Sequence, residues 1–228
     1  MAKLSMPELD QKAAAVRSLL ETSLSQHGRL VYANSLGAEA MALTDIIWTH
    51  LPQIDVFSID TGRLHEETYE LLERLVARQG VNGFYHSIEA RLECCRVRKI
   101  EPFRRAIAGF PAWITGVRRE QSAGRANGRA IEWDAEHGLY KISPLLEWSE
   151  QEVWSYIRLR ELPYNPLHDR QFPSIGCSPC TRAIQPGESR RAGRWWWERA
   201  GSRECGLHPI YPSAQGSAAS AAAVPAPA

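Results

Sequence analysis

The sequence predicts an α/β protein with a mainly parallel sheet and helices on both of its faces. Short apolar runs alternate with longer segments of helical periodicity over the first 115 residues, and turn residues follow the apolar runs. The chain has 228 residues, of which 44% are hydrophobic, so it can bury a core without disulfide bonds. This composition excludes solenoid, collagen-like and wholly disordered proteins.

The periodicity predicts helices and strands in a regular order up to Thr115. The first helix is predicted from Pro7 to about Leu24, where apolar residues recur at helical spacing. The later predicted helices are Ala38–Trp48, Leu64–Arg78 and Arg91–Ala108, and the predicted strands are Leu30–Asn34, Asp55–Ile59, Gly83–His86 and Ala112–Thr115. Parallel strands place their carboxyl ends at one edge of a sheet, where ligands bind. We therefore expect a ligand site at the turns Ser35–Gly37, Asp60–Arg63 and Gly116–Arg119.

The pattern changes beyond Leu139. Residues Lys141–Leu146 are predicted to form an edge strand. The residues Ser149-Glu-Gln-Glu152 form a capping box, which predicts a helix that ends at about Arg160.

Loops and a tail are predicted for the rest of the chain. The segment Phe172–Cys180 holds too much proline and glycine for a regular element, and a rigid bound cofactor would keep it ordered. Residues 211–228 are rich in Ala, Ser and Pro and carry no charge, which is typical of a disordered tail. We expect a single α/β domain over residues 1–210.

No apolar stretch approaches the roughly eighteen residues of a membrane-spanning helix. The first fifteen residues lack the pattern of a secretory signal. The sequence therefore predicts a soluble cytoplasmic protein with no membrane partner.

The charge distribution favours a small anionic ligand. The chain has 27 basic and 26 acidic residues, so it lacks the overall positive charge of most nucleic-acid-binding domains. Residues 91–129 nevertheless hold ten basic and three acidic side chains. Arginine outnumbers lysine by 23 to four, which reflects either genomic base composition or a local site for phosphate or sulfate. We expect a small polyanion as ligand and no nucleic acid.

Five cysteines suggest a metal or cluster site with one thiol left over. Cys94 and Cys95 are adjacent, Cys177 and Cys180 form a C-x-x-C pair, and Cys205 stands alone. A cytoplasmic compartment argues against structural disulfides. Adjacent ligands rarely reach the same tetrahedral zinc ion, whereas a four-iron cluster offers each thiolate a separate iron. We rank an iron-sulfur site above a zinc site, and a zinc site above four unrelated buried cysteines.

The three predicted turns carry residue types that suit a nucleotide. Ser35-Leu-Gly-Ala-Glu39 would direct backbone N–H groups and a helix N-terminus at an anion, although glycine after a strand is more often a simple tight turn. Asp60 and Thr61 would hold a ribose and base, or Asp60 would only cap its own turn. Arg118 and Arg125 add positive charge after the third turn. Three such turns at one sheet edge favour a nucleotide site.

The C-terminal part combines arginine, tryptophan and a cysteine. The segment Arg190–Trp197 holds three arginines and three tryptophans, which would either close over phosphates and a base or dock the aromatic rings on the core. Cys205 follows in a polar, glycine-flanked segment, with Arg203 and His208 nearby to favour the thiolate. A single cysteine near a tail is otherwise an incidental thiol in most proteins.

Taken in order, these motifs resemble those of the assimilatory sulfonucleotide reductases, and specifically the iron-sulfur adenosine 5′-phosphosulfate (APS) reductases. The matching segments are Ser35–Glu39, Ile59–Leu64, Cys94-Cys95 with Lys99, Thr115–Arg119, Cys177–Cys180 with Arg191 and Arg194, and Glu204-Cys205-Gly-Leu-His208. They run in family order over roughly residues 30–210. One departure is Ala40, where relatives often carry Asp.

The resemblance implies an adenine-nucleotide α-hydrolase-like (Rossmann-like) fold with a mobile C-terminal catalytic segment at about 186–210. It implies one 4Fe-4S cluster held by Cys94, Cys95, Cys177 and Cys180, with Cys205 as the nucleophile. The substrate-binding residues expected from it and from the turns are Ser35, Leu36, Gly37, Asp60, Thr61, Lys99, Gly116, Arg118, Arg125, Arg191, Arg194 and His208.

The implied activity is the reduction of APS to sulfite and AMP. The Cys205 thiolate would attack the sulfur of the sulfate group, expel AMP and leave an S-sulfocysteine. Reduced thioredoxin, or glutaredoxin, would then attack this adduct and release sulfite. Lys99, Arg191 and Arg194 would stabilise charge on the leaving phosphate. In this family the cluster is not thought to carry electrons in turnover.

Other functions stay open at the level of the sequence. One alternative is an enzyme that reduces the 3′-phosphorylated substrate (PAPS). Another is a non-enzymatic, zinc-stabilised nucleotide-binding module. An ATP-using enzyme that thiolates tRNA is expected to keep an S-G-G-x-D-S loop, and Leu36, Ala38 and Ala40 do not fit that pattern. The sequence does not determine whether the chain forms a homo-oligomer.

Overall fold

One sheet organises the described part of the chain, which is residues 6–79, 94–122 and 125–196 of a computed structural model. Its strands are β1 (Leu30–Asn34), β2 (Asp55–Ser58), β3 (Ala112–Ile114), β4 (Ile131–Asp134) and β5 (Leu139–Ile142). Their order is β2-β1-β3-β5-β4. The β4–β5 pair is antiparallel and the other three strand pairs are parallel. The predicted mainly parallel sheet is confirmed.

Helices connect and cover these strands. Their bounds are α1 (Met6–His27), α2 (Ala38–His50), α3 (Glu66–Gln79), α4 (Glu101–Ile107) and α5 (Glu150–Leu159), with a π-helical turn at Arg96–Ile100 that leads directly into α4. The predicted helices of these regions are confirmed, with ends displaced by a few residues. The predicted strand Gly83–His86 and the predicted tail at 211–228 lie outside the described residues.

Side-chain alternation along the inner strands builds a core on each face of the sheet. Tyr32 and Ile114 point to one face, where they join the apolar sides of α1, α2 and α5. Val31 and Trp113, their neighbours in sequence, point to the other face and pack with Phe103 of α4. Covering both faces in this way leaves the strand ends as the open edge of the sheet.

The predicted edge strand at Lys141–Leu146 is wrong. The strand in this region is β5, which begins at Leu139 and lies between β3 and β4. Gly138, with a φ of 70°, helps to close a tight turn that folds β4 back along β5, so β4 is the edge strand. Lys141 is tolerated on an inner strand because its Nζ lies 2.8 Å from Oε1 of Glu132 on β4.

Candidate active site

A cavity of about 270 Å³ lies at the carboxyl ends of β1, β2 and β3. It is near the lower end of the usual volume range for small-molecule sites. Fourteen of the seventeen predicted site residues line it, namely Ser35, Leu36, Gly37, Thr61, Cys94, Cys95, Lys99, Gly116, Arg118, Arg125, Cys177, Cys180, Arg191 and Arg194. The structure thus brings the two cysteine pairs, the three turns and the arginine segment to one place.

Three predicted residues are not placed in this cavity. Cys205 and His208 lie outside the described residues. Asp60 is buried beside the cavity, where its Oδ1 accepts hydrogen bonds from the Gly62 N–H at 2.7 Å and the Tyr69 hydroxyl at 2.9 Å. The bond from Gly62 is that of the capped turn, which was the alternative interpretation of Asp60.

The turn after β1 presents the N-terminus of α2 to the cavity. Leu36 has a φ of 60°, a left-handed conformation that is costly for leucine. Asn34 stabilises it, because its Oδ1 accepts a hydrogen bond from the Leu36 N–H at 2.7 Å. Gly37 precedes α2 without a side-chain cap. The N–H groups of the first turn and the positive end of the helix dipole are therefore suited to an anion.

An ion pair joins this helix end to the turn after β3. Nε and Nη2 of Arg118 lie 3.0 and 2.8 Å from Oε1 of Glu39, and the Arg118 side chain is only 2% exposed. Burial by itself raises the pKa of Glu39, but the Arg118 charge and hydrogen bonds from Arg118 and Gln121 outweigh it, so the net pKa is lowered. Arg118 therefore lines the cavity as half of an ion pair.

Gln121 connects this pair with a second buried arginine. Its Oε1 accepts a hydrogen bond from Nη1 of Arg125 and another from the Arg118 N–H at 3.2 Å, while its side chain also bonds to Glu39. Arg125 is 8% exposed and lines the cavity. The amide of Gln121 thus orients the Arg125 guanidinium relative to the helix end. No role was predicted for Gln121 or Glu39, because only tertiary contacts define the roles of these two residues.

The turn after β2 contacts both segments that carry the cysteine pairs. The Thr61 carbonyl accepts a hydrogen bond from Nη1 of Arg98 at 2.6 Å, and Arg98 follows Cys94-Cys95 by one turn. The Thr61 Oγ1 lies 3.2 Å from the Cys177 thiol, which donates to it. The Arg63 carbonyl accepts from the Ser178 N–H at 2.6 Å. This turn therefore sets the distance between the helix and the loop that carry the cysteines.

The four cysteines of these two pairs are half-buried. Cys94 and Cys95 precede the π-helical turn, which is an uncommon element that often marks functional sites. Cys180 ends a 3-10 turn that begins at Ser178. Within the described ranges, no three His, Cys, Asp or Glu side chains are grouped to hold a metal ion. Four thiols line this one cavity and are candidate ligands for a cofactor.

An apolar floor and a half-buried histidine also line the cavity, and neither was predicted from the sequence. The floor includes Phe57, Phe103 and Trp113. His168 packs edge-on against Trp154 with a centroid distance of 5.2 Å, and burial lowers its pKa. These positions carried no signal in the sequence, because tertiary packing decides whether such a side chain points to the core or to a ligand.

The comparisons with known proteins agree with this geometry. The profile of the phosphoadenosine phosphosulfate reductase domain matches residues 29–183, which contain the three turns and both cysteine pairs. The chain belongs to this family. The adenosine 5′-phosphosulfate reductase of Allochromatium vinosum is 50% identical and aligns over 90% of this chain and 88% of its own length. That of Burkholderia cepacia is 46% identical over 89% of each chain. The resemblance to the sulfonucleotide reductases is confirmed.

Solved structures confirm the fold of this phosphoadenosine phosphosulfate reductase domain. The phosphoadenylyl-sulfate reductase of Candida auris, in a phosphate complex, has a TM-score of 0.64 at 23% identity and covers 80% of this chain. The FMN adenylyltransferase of Candida glabrata, with FMN and an ATP analogue, has a TM-score of 0.62 at 16% identity and covers 83% of this chain. At such low identity these likenesses concern the fold alone, and it is the predicted adenine-nucleotide α-hydrolase-like fold. Across the described helices, none has the length and apolar character needed to span a membrane.

Proposed function

We propose that this chain reduces APS to sulfite and AMP with reduced thioredoxin, as a step of sulfate assimilation. The observation that supports this most is the single cavity that two cysteine pairs and several cations share at the strand ends. The two relatives at 46–50% identity are adenosine 5′-phosphosulfate reductases, which supports the same reaction. Thioredoxin chemistry fits a reducing cytoplasm.

The proposed reaction has two covalent steps, both on Cys205. Its thiolate attacks the sulfur of the sulfate group, the bond from that sulfur to the bridging oxygen breaks, and AMP leaves with the electron pair. One thiolate of reduced thioredoxin then attacks Sγ of Cys205, and sulfite leaves with the electrons of the S–S bond. The second thioredoxin thiol resolves the mixed disulfide, so the dithiol supplies the two electrons that the substrate gains. Glutaredoxin would supply the same chemistry.

The cavity offers cations for the charge that builds on the leaving phosphate. Lys99, Arg125, Arg191 and Arg194 all line it, and cations fixed before reaction stabilise such charge at little reorganisation cost. We assign the phosphosulfate to these four rather than to Arg118, whose guanidinium is engaged by Glu39. In the apolar floor Phe103 and Trp113 are buried and Phe57 is partly exposed, so Phe57 offers an apolar surface for the adenine ring.

We propose that Cys94, Cys95, Cys177 and Cys180 hold one 4Fe-4S cluster. Their thiol donor set, shared cavity and separate positions support this. When bound, the cluster would link the helix that carries Cys94 and Cys95 covalently to the loop that carries Cys177 and Cys180. Lys99 and Arg98 line the same cavity as these thiols, so their positive charges can offset the negative charge of thiolates, and the Thr61 hydroxyl lies 3.2 Å from the Cys177 sulfur. Iron and sulfide analysis of anaerobically purified protein tests this proposal: each Cys→Ser change is expected to lose iron, and stoichiometric zinc without sulfide would contradict it.

The substrate is proposed to be APS rather than PAPS. In the resemblance, the cluster-binding cysteine set accompanies the substrate without a 3′-phosphate. The test compares kcat/KM for sulfite release from APS and PAPS with reduced thioredoxin. A higher value for APS supports the proposal, and a higher value for PAPS shows the alternative reductase. Nucleotide binding without sulfite release from either compound would favour the alternative of a non-enzymatic nucleotide-binding module.

A further inference from the structure

We propose that the loop carrying Cys177 and Cys180 fixes the position of Arg194, and that Gly176 is the positioning residue that makes room for its guanidinium. This inference rests on the proposed function, in which Arg194 binds the phosphosulfate. It goes further by assigning a role to a residue outside the cation set.

The guanidinium of Arg194 lies directly against the main chain at Gly176. A Cβ at position 176 would stand 2.4 Å from Nη2, 2.5 Å from Cζ and 3.0 Å from Nε of Arg194. These distances are shorter than any normal van der Waals contact of a carbon atom. Every other amino acid at position 176 would therefore displace this guanidinium. Since the displaced atoms end a flexible side chain, the change would move Arg194 more readily than the backbone.

Contacts on its other sides complete a slot around the Arg194 guanidinium. Nη1 of Arg194 donates to the Ile175 carbonyl at 3.1 Å and to Oγ of Ser174 at 3.3 Å. Its Cζ lies 4.5 Å from the ring centroid of Trp195, which gives a cation–π contact. The guanidinium is thus sandwiched between the Gly176 main chain and an indole ring, with hydrogen bonds at its edge.

Main-chain bonds hold the same two segments together. Thr181 and Arg194 form an antiparallel bridge, and the Trp195 N–H donates to the Cys180 carbonyl at 3.1 Å. Arg194 is only 8% exposed and lines the cavity beside Cys177. An arginine fixed in this way loses little conformational freedom when it binds an anion. The loop that carries two of the proposed metal ligands is therefore also the support of a substrate-binding cation.

The test measures nucleotide affinity and cluster content for Gly176→Ala. ADP serves as the probe, because its β-phosphate occupies the place that the sulfate has in APS and it cannot react with a thiol at sulfur. We expect the dissociation constant for ADP to rise by about tenfold or more, as for the loss of a charge-assisted hydrogen bond, while iron and sulfide contents stay at the wild-type level. An unchanged dissociation constant would overturn the inference.

A matched glycine serves as the control. Gly109 has a φ of 78°, and a Cβ there would meet no atom within 4 Å. Gly109→Ala is expected to lower stability through its backbone conformation and to leave ADP binding unchanged. The comparison separates a general loss of stability from a displaced arginine.

A double-mutant cycle shows whether Gly176 acts through Arg194. Gly176→Ala is expected to have little further effect on ADP affinity once Arg194→Ala is present. If the two changes weaken binding additively, Gly176 is not the positioning residue of Arg194. If Gly176→Ala loses iron, Ser174→Ala provides the test instead. An increase of about threefold in the dissociation constant for ADP, absent when Arg194→Ala is also present, supports the inference. An equal increase with and without Arg194→Ala overturns it. Wild-type protein that binds neither ADP nor AMP would instead contradict the proposed function.

Discussion

Arg118 and Arg125 follow the same strand and are both buried, yet their neighbours give them different roles. The guanidinium of Arg118 meets the Glu39 carboxylate at 2.8 Å, so its charge is compensated within the protein. Arg125 instead donates to the amide oxygen of Gln121. The sequence predicted both as cations near an anion, and it could not show that Glu39 lies beside Arg118.

The first prediction concerns Gln121. Gln121→Met keeps the size of the side chain but removes the acceptor for Arg125, so the KM for APS should rise by about tenfold with a smaller change in kcat. Steady-state kinetics with both parameters reported provides the measurement. Gln53→Met makes the same change at an exposed position and should leave KM unaltered. A wild-type KM for Gln121→Met would contradict the assigned orientation of Arg125.

The second prediction concerns the pH dependence of stability at His168. Its Nε2 is buried and has no hydrogen-bond partner among the described residues, and burial lowers its pKa below the usual value of 6.5. In the window below that value the unfolded chain binds more protons than the folded one, so the free energy of unfolding falls as pH falls.

Urea unfolding at about pH 7.5 and pH 5.5 measures this slope. His168→Gln should reduce the loss of stability between the two values, since the replacement does not titrate. His50→Gln, at an exposed site, provides the control. An identical pH slope for wild-type protein and His168→Gln would show that His168 does not contribute.

At the scale of elements, local patterns predicted local structure. The capping box at Ser149 is present, with the Ser149 N–H donating to Oε2 of Glu152 at 2.7 Å, because both partners lie within one turn of sequence. The strand β4 was missed because its four residues form a strand only by pairing with β5. The π-helical turn was also not predicted, since its hydrogen-bond pattern has no distinct side-chain periodicity.

The third prediction tests the pairing of β4 with β5. Lys141 has a side chain that is 3% exposed, and its ammonium lies 2.8 Å from the Glu132 carboxylate. Glu132→Leu leaves a buried cation without this partner and should destabilise the protein by about 3 kcal/mol. The double change Glu132→Leu with Lys141→Met should recover part of that loss, because apolar residues often replace a buried pair well.

Chemical denaturation measures these differences. Glu136→Gln breaks the exposed pair between Glu136 and Arg104, which are 48% and 52% exposed, and should change the free energy of unfolding by less than about 1 kcal/mol. A Glu132→Leu effect as small as that of this control would contradict the role of the buried pair in the hairpin.

At the scale of the whole molecule, parallel strand order brings distant motifs together. The three turns were predicted to share one edge of the sheet, and they line one cavity. This part of the site was predictable because it follows from strand direction and the rule for strand ends. Side-chain packing between segments far apart in sequence determines the ion pair of Arg118, the slot at Gly176 and the apolar floor. These features were therefore not predictable from the sequence.

The central claim is that this cavity serves an enzyme that transfers a sulfonate group to Cys205. Mass spectrometry of the protein mixed with APS in the absence of thioredoxin tests it most directly. The account predicts a sulfonate adduct on Cys205 alone, which is lost as sulfite when reduced thioredoxin is added, and no adduct or sulfite from Cys205→Ser with its iron content retained. An adduct on another cysteine, or full turnover by Cys205→Ser, would contradict it.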